Sequence, residues 1–320
     1  MHDKELLSEL YRQIYTIRLF ETRCIKLYRQ GLIRGYFHPY LGEEAIAVGV
    51  CSALNDDDYI VSTHRGHGHC IAWGAELNRM VAELLGKQTG YCGGRGGSMH
   101  IADVRAGNLG ANGIVGAGIP MGVGAALGSS IREDGKVTAI FFSDGAANNG
   151  VFAEAMNLAA IWNLPTILVL ENNHYAVSTP IEQLCRTKNL ADRAAGYGVE
   201  NHIVDGNDVL QVYAQAKDAA DRCRNGKGPV LLECNTYRHQ GHHVNDPGDY
   251  MPKDKLEYYR GEKDPLRIAR QYLIDQAGAT EEEVVTIESE VEAALDQAVL
   301  FAEESKEPDV NEFLQEVKNN

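Results

Sequence analysis

The chain has 320 residues, 44% hydrophobic and 23% charged, with a net charge of −15. That balance is globular and long enough for one large or two modest domains. The negative charge argues against nucleic acid or an anionic membrane surface as a main partner, and no run of about 18 apolar residues predicts a membrane span.

Leu6, Leu10, Ile14, Ile17, Phe20, Cys24 and Leu27 recur at helical spacing and predict a first helix over 5–30. Its start is charged and carries no signal-peptide apolar core. A glycine- and aromatic-rich stretch over 31–42 precedes a short helical pattern over 43–53. Asn55 to Asp58 form a turn, and 59–62 a short strand leading to His64, Arg65 and His67. Residues 77–86 read as helix. A loop over 90–118 then holds ten glycines in 29 positions. So long a loop is uncommon in a compact domain unless it is functional.

Strands are predicted at 137–142, 166–170, 201–204 and 229–234, with helices between them. The alternation predicts an α/β fold with a doubly wound, mainly parallel sheet. After Pro265 the character changes. Thr280 and Glu283 form a capping box, and Val284, Ile287, Val291, Leu295, Ala298 and Phe301 follow as a helical stripe. The expected division is one domain over 1–265 and a C-terminal helical arm over 266–320. The seven cysteines are scattered, with no Cys-x-x-Cys pair, and predict reduced thiols in the cytoplasm.

The chemistry concentrates at strand ends. Asp144 follows the apolar run 137–142, and Asn173 lies 29 residues later, after the run 166–170. Such α/β sheets place ligands outside the carboxyl ends of parallel strands. A carboxylate, an amide oxygen and a nearby backbone carbonyl suit Mg²⁺ with phosphate as a co-ligand; an ordinary βαβ unit with a polar turn is the alternative. In THRGHGHC, Arg65 can hold phosphate oxygens beside His64, His67 and His69. Zinc is a second reading of that spacing, although no cysteine or carboxylate completes a ligand set, and hydrogen-bonded core histidines are a third. TYRHQGHH, with Arg238, His242 and His243, is a second basic cluster. It leads into NDPGDYMP, a turn-rich segment expected to be mobile. Gly113 to Val115 could present backbone groups and an apolar edge to a flat heterocycle. The nearby Gly116-x-Gly118 run continues to Met121, so a dinucleotide fingerprint fails.

The segments FHPYLGEEA, THRGHGH, GGRGGSMHIAD, GANGIVGAGIP, SDGAANNG, ENNHYA and TYRHQGHH…DPG stand in one family's order. Over residues 10–305 the chain resembles the alpha subunit of the thiamine-dependent first component of 2-oxo acid dehydrogenase complexes, of acetoin or pyruvate dehydrogenase type. The resemblance implies the thiamine diphosphate-binding fold. Asp144, Asn173 and the carbonyl of Tyr175 match its Mg²⁺ ligands. Gly145 and Ala146 match backbone contacts to the diphosphate. Arg65 and His242 match diphosphate binders, with Arg238 in support, and Gly113 and Val115 match contacts to the aminopyrimidine. His38, His64 and His242 match histidines of the catalytic side. One departure is Ser143, where the usual signature has glycine.

The resemblance further implies an α₂β₂ heterotetramer acting on a small oxo substrate. A two-carbon unit would pass to a lipoyl-bearing acyltransferase. The carboxylate that activates the aminopyrimidine would come from the beta chain; within this chain only Glu44 is a candidate, and a structural role suits it better. THRGHGHC and the 100–118 segment lean toward acetoin, TYRHQGHHVNDPG toward pyruvate or another 2-oxo acid. A nicotinamide oxidoreductase on a Rossmann sheet, or a non-catalytic binding protein on the same fold, are the competing classes. The first lacks its glycine fingerprint. The second sits poorly with the presence of both Asp144 and Asn173.

Overall fold

A computed structural model describes residues 3–319; residues 1, 2 and 320, included in the expected division, lie outside the described residues. Helix α1 (Lys4–Arg29) begins where the Asp3 side chain accepts the N–H of Glu5. It buries Leu7, Leu10, Ile14, Ile17, Phe20, Cys24 and Leu27 along one side. Leu6 is only partly buried, and Leu7 takes its expected place. Helix α2 (Glu44–Ala53) is apolar around nearly its whole girth, and the fold accordingly buries almost all of it.

Strand β1 (Tyr59–Val61) is followed by α3 (His67–Ala72), α4 (Leu77–Leu84) and, beyond the glycine-rich loop, α5 (Gly118–Arg132). Then come β2 (Thr138–Ser143), α6 (Gly150–Ile161) and β3 (Thr166–Asn172). A small hairpin of β4 (Tyr175–Ala176) and β5 (Thr179–Pro180) precedes β6 (Glu200–Asp205), α7 (Val209–Arg224) and β7 (Val230–Asn235). The chain closes with α8 (Lys253–Gly261), α9 (Pro265–Asp275), α10 (Glu281–Glu304) and α11 (Val310–Asn319).

The main sheet runs β1-β2-β3-β7-β6, and every pairing in it is parallel. Strands β2, β3 and β7 are buried on both faces, which explains their continuous apolar runs; the edge strand β6 is only partly covered and leaves Ile203 exposed. The period of two splits them cleanly. Phe141, Ile167, Val169, Val230 and Leu232 join the core shared with α1, α2, α7 and α10. Ile140, Phe142, Leu168, Leu170 and Leu231 join the opposite core, under α5 and α6. Helices therefore cover both faces, and the doubly wound, mainly parallel α/β fold is the one observed.

The predicted strands and long helices agree with the structure to within a few residues. The capping box of α10 forms as read, with Thr280 and Glu283 satisfying each other's backbone N–H groups. Helix α10 packs on α1 and α4. The sequence reading lacked α3, which turns the second half of the histidine-rich segment into a buried helix, and the β4–β5 hairpin.

Candidate active site

Four neighbouring strands each deliver one polar group at their carboxyl ends: Arg65 after β1, Asp144 after β2, Asn173 after β3 and Arg238 after β7. All four are buried. Register brings Asp144 and Asn173 together, because Ser143 pairs with Glu171 and the Asp144 N–H donates to the Glu171 carbonyl at 3.2 Å. One oxygen of each, Asp144 Oδ2 and Asn173 Oδ1, is buried without a hydrogen-bond partner. Orphaned buried oxygens are costly and uncommon, and a pair of them on adjacent strand ends calls for a cation. Burial pushes the Asp144 carboxyl up to about 6.

A cavity of about 250 Å³ opens beside these groups. His38, His64, Arg65, Gly113, Val115, Gly145, Asn173, Tyr175, Arg238 and His242 all line it. The fold thus gathers groups from every predicted motif around one space. Asp144 lies beneath the lining, fully buried. Ala146 borders a smaller neighbouring pocket with Ser143.

The backbone donors of the acidic turn are engaged locally. Asp144 Oδ1 accepts the Gly145 N–H at 2.7 Å, and Ser143 Oγ accepts the Ala146 N–H at 3.2 Å. Ser143 therefore caps the turn, a local role that glycine lacks. The hairpin past Asn173 is strained. His174 and Val177 have φ of 69° and 56°, and a β-branched residue in that region is an outlier that its surroundings must hold. Arg238 supplies one such restraint, donating to the Val177 carbonyl at 2.8 Å.

The two arginines are held by oxygen and nitrogen acceptors. Arg65 donates to the Pro39 and His242 carbonyls at 2.6 and 2.9 Å. Arg238 pairs with His242 Nδ1 at 3.2 Å and the Tyr250 hydroxyl at 3.1 Å. The rings of His38, His64 and His242 lie 4.8 to 5.5 Å apart between centroids. Burial first, and Arg65 second, pushes His38 down to about 2 and His64 and His242 to about 3. These imidazoles are neutral at physiological pH. Two neighbouring guanidiniums, and a His242 Nδ1 already accepting from Arg238, make the trio a poor metal site and a good anion-facing one.

The zinc reading of THRGHGHC does not survive the geometry. His67 Nδ1 meets Glu21 at 3.0 Å and its Nε2 meets Ser98 Oγ at 3.0 Å. His69 Nδ1 meets Ser62 Oγ at 2.8 Å and its Nε2 meets Glu171 at 2.9 Å. Tyr40 joins the two chains, giving its N–H to Glu21 and its hydroxyl to Glu171. Both histidines are core struts behind the cavity wall. Gly68 is required there, since any Cβ would sit 2.1 Å from the Tyr40 ring.

Glu44 is also structural. It is fully buried, accepts the Gly42 N–H at 2.9 Å and pairs with Arg18 at 2.6 Å. The residue that the sequence reading missed is its neighbour. Glu43 lines the cavity, accepts from Asn173 Nδ2 at 3.1 Å and lies 3.9 Å from Arg65 Nε. Burial pushes its carboxyl up to about 8. Two adjacent glutamates look alike in a sequence, and only the start of α2 decides which one faces inward.

The donor set fits a magnesium-bound diphosphate. It offers two orphaned hard oxygens, two buried guanidiniums and neutral imidazoles beside an apolar-edged cavity.

The sequence pattern of the family described as dehydrogenase E1 component matches residues 12–311. The alpha subunit of acetoin:2,6-dichlorophenolindophenol oxidoreductase from Bacillus subtilis is 47% identical over 308 residues, covering 96% of this chain and 92% of the relative. Its counterpart from Cupriavidus necator is 45% identical over 315 residues, with 98% and 95% covered. The pyruvate dehydrogenase E1 component subunit alpha of Zymomonas mobilis is 41% identical over 307 residues, with 96% and 86% covered. The chain therefore belongs to the dehydrogenase E1 component family as an alpha-type subunit, in a family of oxidoreductases that use thiamine diphosphate with a divalent metal ion.

Proposed function

We propose that this chain is the alpha subunit of an acetoin-cleaving dehydrogenase, with pyruvate or another 2-oxo acid as the second reading. The acetoin-type relatives share more of its sequence than the pyruvate-type ones do, and His64 beside Arg65 matches the acetoin pattern. The second reading rests on TYRHQGHHVNDPG.

The observation that carries the site is the pair of orphaned oxygens, Asp144 Oδ2 and Asn173 Oδ1, at adjacent strand ends. With the carbonyl of Tyr175 they would hold Mg²⁺. Arg65 and Arg238 would neutralise the diphosphate, His242 would donate a hydrogen bond to it, and the Gly145 and Ala146 N–H groups would turn to it from their local acceptors. Gly113 and Val115 would meet the aminopyrimidine. Bound thiamine diphosphate supplies the nucleophilic carbon and the electron sink for C–C cleavage. Around the reacting carbon, His38 and His64 would accept and return protons, since neutral imidazoles have a free lone pair at working pH; His242 would join them once Arg238 turns from its Nδ1 to the diphosphate. On this reading the enzyme is cytoplasmic, and its two-carbon product passes to a lipoyl-bearing acyltransferase. The residues 1–265 are read as the cofactor domain and 266–320 as a helical arm.

A beta partner is implied by the alpha-type family. The structure favours a protein face for it: α6 carries a single charged residue, Glu154, yet Leu158, Ile161 and the adjoining Trp162 are exposed. On the neighbouring α5, Met121 and Ile131 are exposed as well. Helices apolar all round are normally covered. Two copies of each chain, as α₂β₂, would close the assembly symmetrically.

Asp144→Ala tests the cofactor reading. It should abolish Mg²⁺-dependent thiamine diphosphate binding by calorimetry and leave the circular dichroism spectrum intact; unchanged affinity would remove the assignment. A panel of acetoin, pyruvate and branched 2-oxo acids, with an artificial electron acceptor and the two-subunit enzyme, separates the two substrate readings.

A further inference from the structure

We propose that Glu43 is a positioning residue that fixes the side-chain amide of Asn173, turning its oxygen toward the cation. The inference rests on the cofactor reading above. Three observations carry it. Glu43 Oε1 accepts from Asn173 Nδ2 at 3.1 Å, with both residues buried. The other end of the same amide, Asn173 Oδ1, is buried and has no partner. Glu43 itself lines the cavity, whereas Glu44 beside it is turned away to Arg18.

An asparagine amide can flip, exchanging oxygen for NH₂ with little change of shape. A flipped Asn173 would aim two N–H donors at a cation and could not ligate it. Ionised or protonated, Glu43 keeps an acceptor oxygen at Oε1, and the bond from Asn173 Nδ2 to that atom selects the orientation with nitrogen toward Glu43 and oxygen away. Partners that orient ligating groups commonly govern affinity almost as strongly as the ligands do. Glu43 is well placed for this task. It is the residue preceding α2, its carbonyl accepts the Ile46 N–H at 3.0 Å, and its own N–H donates to Tyr40 at 3.3 Å. Its backbone is therefore held by the start of the helix. Arg65 Nε at 3.9 Å adds a second restraint on the carboxylate.

The test uses Mn²⁺, a spectroscopically visible stand-in for Mg²⁺, with the full chain co-expressed with its beta partner. Free Mn²⁺ is read by electron paramagnetic resonance in the presence of thiamine diphosphate. Glu43→Met, close in shape but without an acceptor, should weaken Mn²⁺ binding by about 10- to 100-fold, with the melting temperature of the cofactor-free protein unreduced. Glu43→Gln, which keeps an acceptor oxygen, should stay within a few-fold of the parent. If the methionine variant does not fold, Glu43→Ala carries the same comparison. Unchanged Mn²⁺ affinity in the variant lacking an acceptor overturns the proposal. Equal loss in the glutamine variant also overturns it, because charge and not amide orientation would then be responsible. A parent protein that binds no Mn²⁺ with thiamine diphosphate instead overturns the underlying cofactor reading, so the two failures are distinct.

Discussion

Single side chains near the cavity titrate far from where solvent would place them. His38, His64 and His242 are pushed down to between about 2 and about 3 by burial and by Arg65. In the unfolded chain an imidazole takes up its proton near pH 6.5. Below that pH the unfolded state binds more protons than the folded one, so folding stability is lost as pH falls. Their contribution is fully present above about pH 6.5. Asp144 and Glu43, raised by burial, pull the other way: their contribution is present at low pH and lost as pH rises through their folded values. A variant isolates the imidazole part. His38→Gln should lose less stability than the parent between pH 7 and pH 5, measured as the shift in urea midpoint. An identical shift in both proteins would mean that His38 is protonated in the folded state.

At the scale of elements, two loops owe their shape to one carboxylate each. Glu83, fully buried on α4, accepts the N–H groups of Cys92 and Gly94 on one oxygen and of Gly96 and Gly97 on the other. The glycine-dense loop is wound around an internal anion, and Gly94 takes φ of 75° to do so. Glu83→Ala orphans four donors at once. It should cost about 3–5 kcal/mol of stability in urea titrations, with Glu83→Gln less harmful. The second loop follows β7. Asp246 accepts the His242 and Gly248 N–H groups and the Tyr250 hydroxyl. Longer ties run from the Val244 N–H to the Phe37 carbonyl at 3.0 Å, from Arg65 to the His242 carbonyl at 2.9 Å and from Asn245 to the Tyr28 hydroxyl at 3.0 Å, and a bound diphosphate would add to them. Proteolysis between Gly241 and Lys255 should slow when thiamine diphosphate and Mg²⁺ are added; equal rates would show that the loop takes no part in binding.

On the proposed α₂β₂ reading, the whole molecule supplies one half of a catalytic centre. Among the described residues, Glu44 is consumed by Arg18 and Gly42, and Glu43 by Asn173. Neither glutamate is free to activate an aminopyrimidine, and Glu171, also on the cavity wall, is held by Tyr40 and His69; in the proposed heterotetramer that carboxylate would come from the beta chain. The purified chain should therefore show no turnover of acetoin or pyruvate, and co-expression with the beta partner should restore it. Turnover by this chain alone would contradict the division of labour and return attention to Glu43.

Period and punctuation determined the elements. Apolar runs bounded by turn residues marked the strands, and the 3.6-residue stripes marked α1 and α10, because local spacing decides which face can be buried. Motif order was enough to identify the family and to name the groups at the strand ends, since a parallel sheet aligns the carboxyl ends of its strands on one side. Tertiary structure decided what those groups do. His64, His67 and His69 are indistinguishable by spacing, yet α3 turns the last two into the core against Glu21 and Glu171 and leaves the first in the cavity. Glu43 and Glu44 part company at the start of α2. Glu83 stands at least nine residues from the N–H groups it organises. Partners of this kind meet only through the packing of elements, so no local pattern in the chain records them.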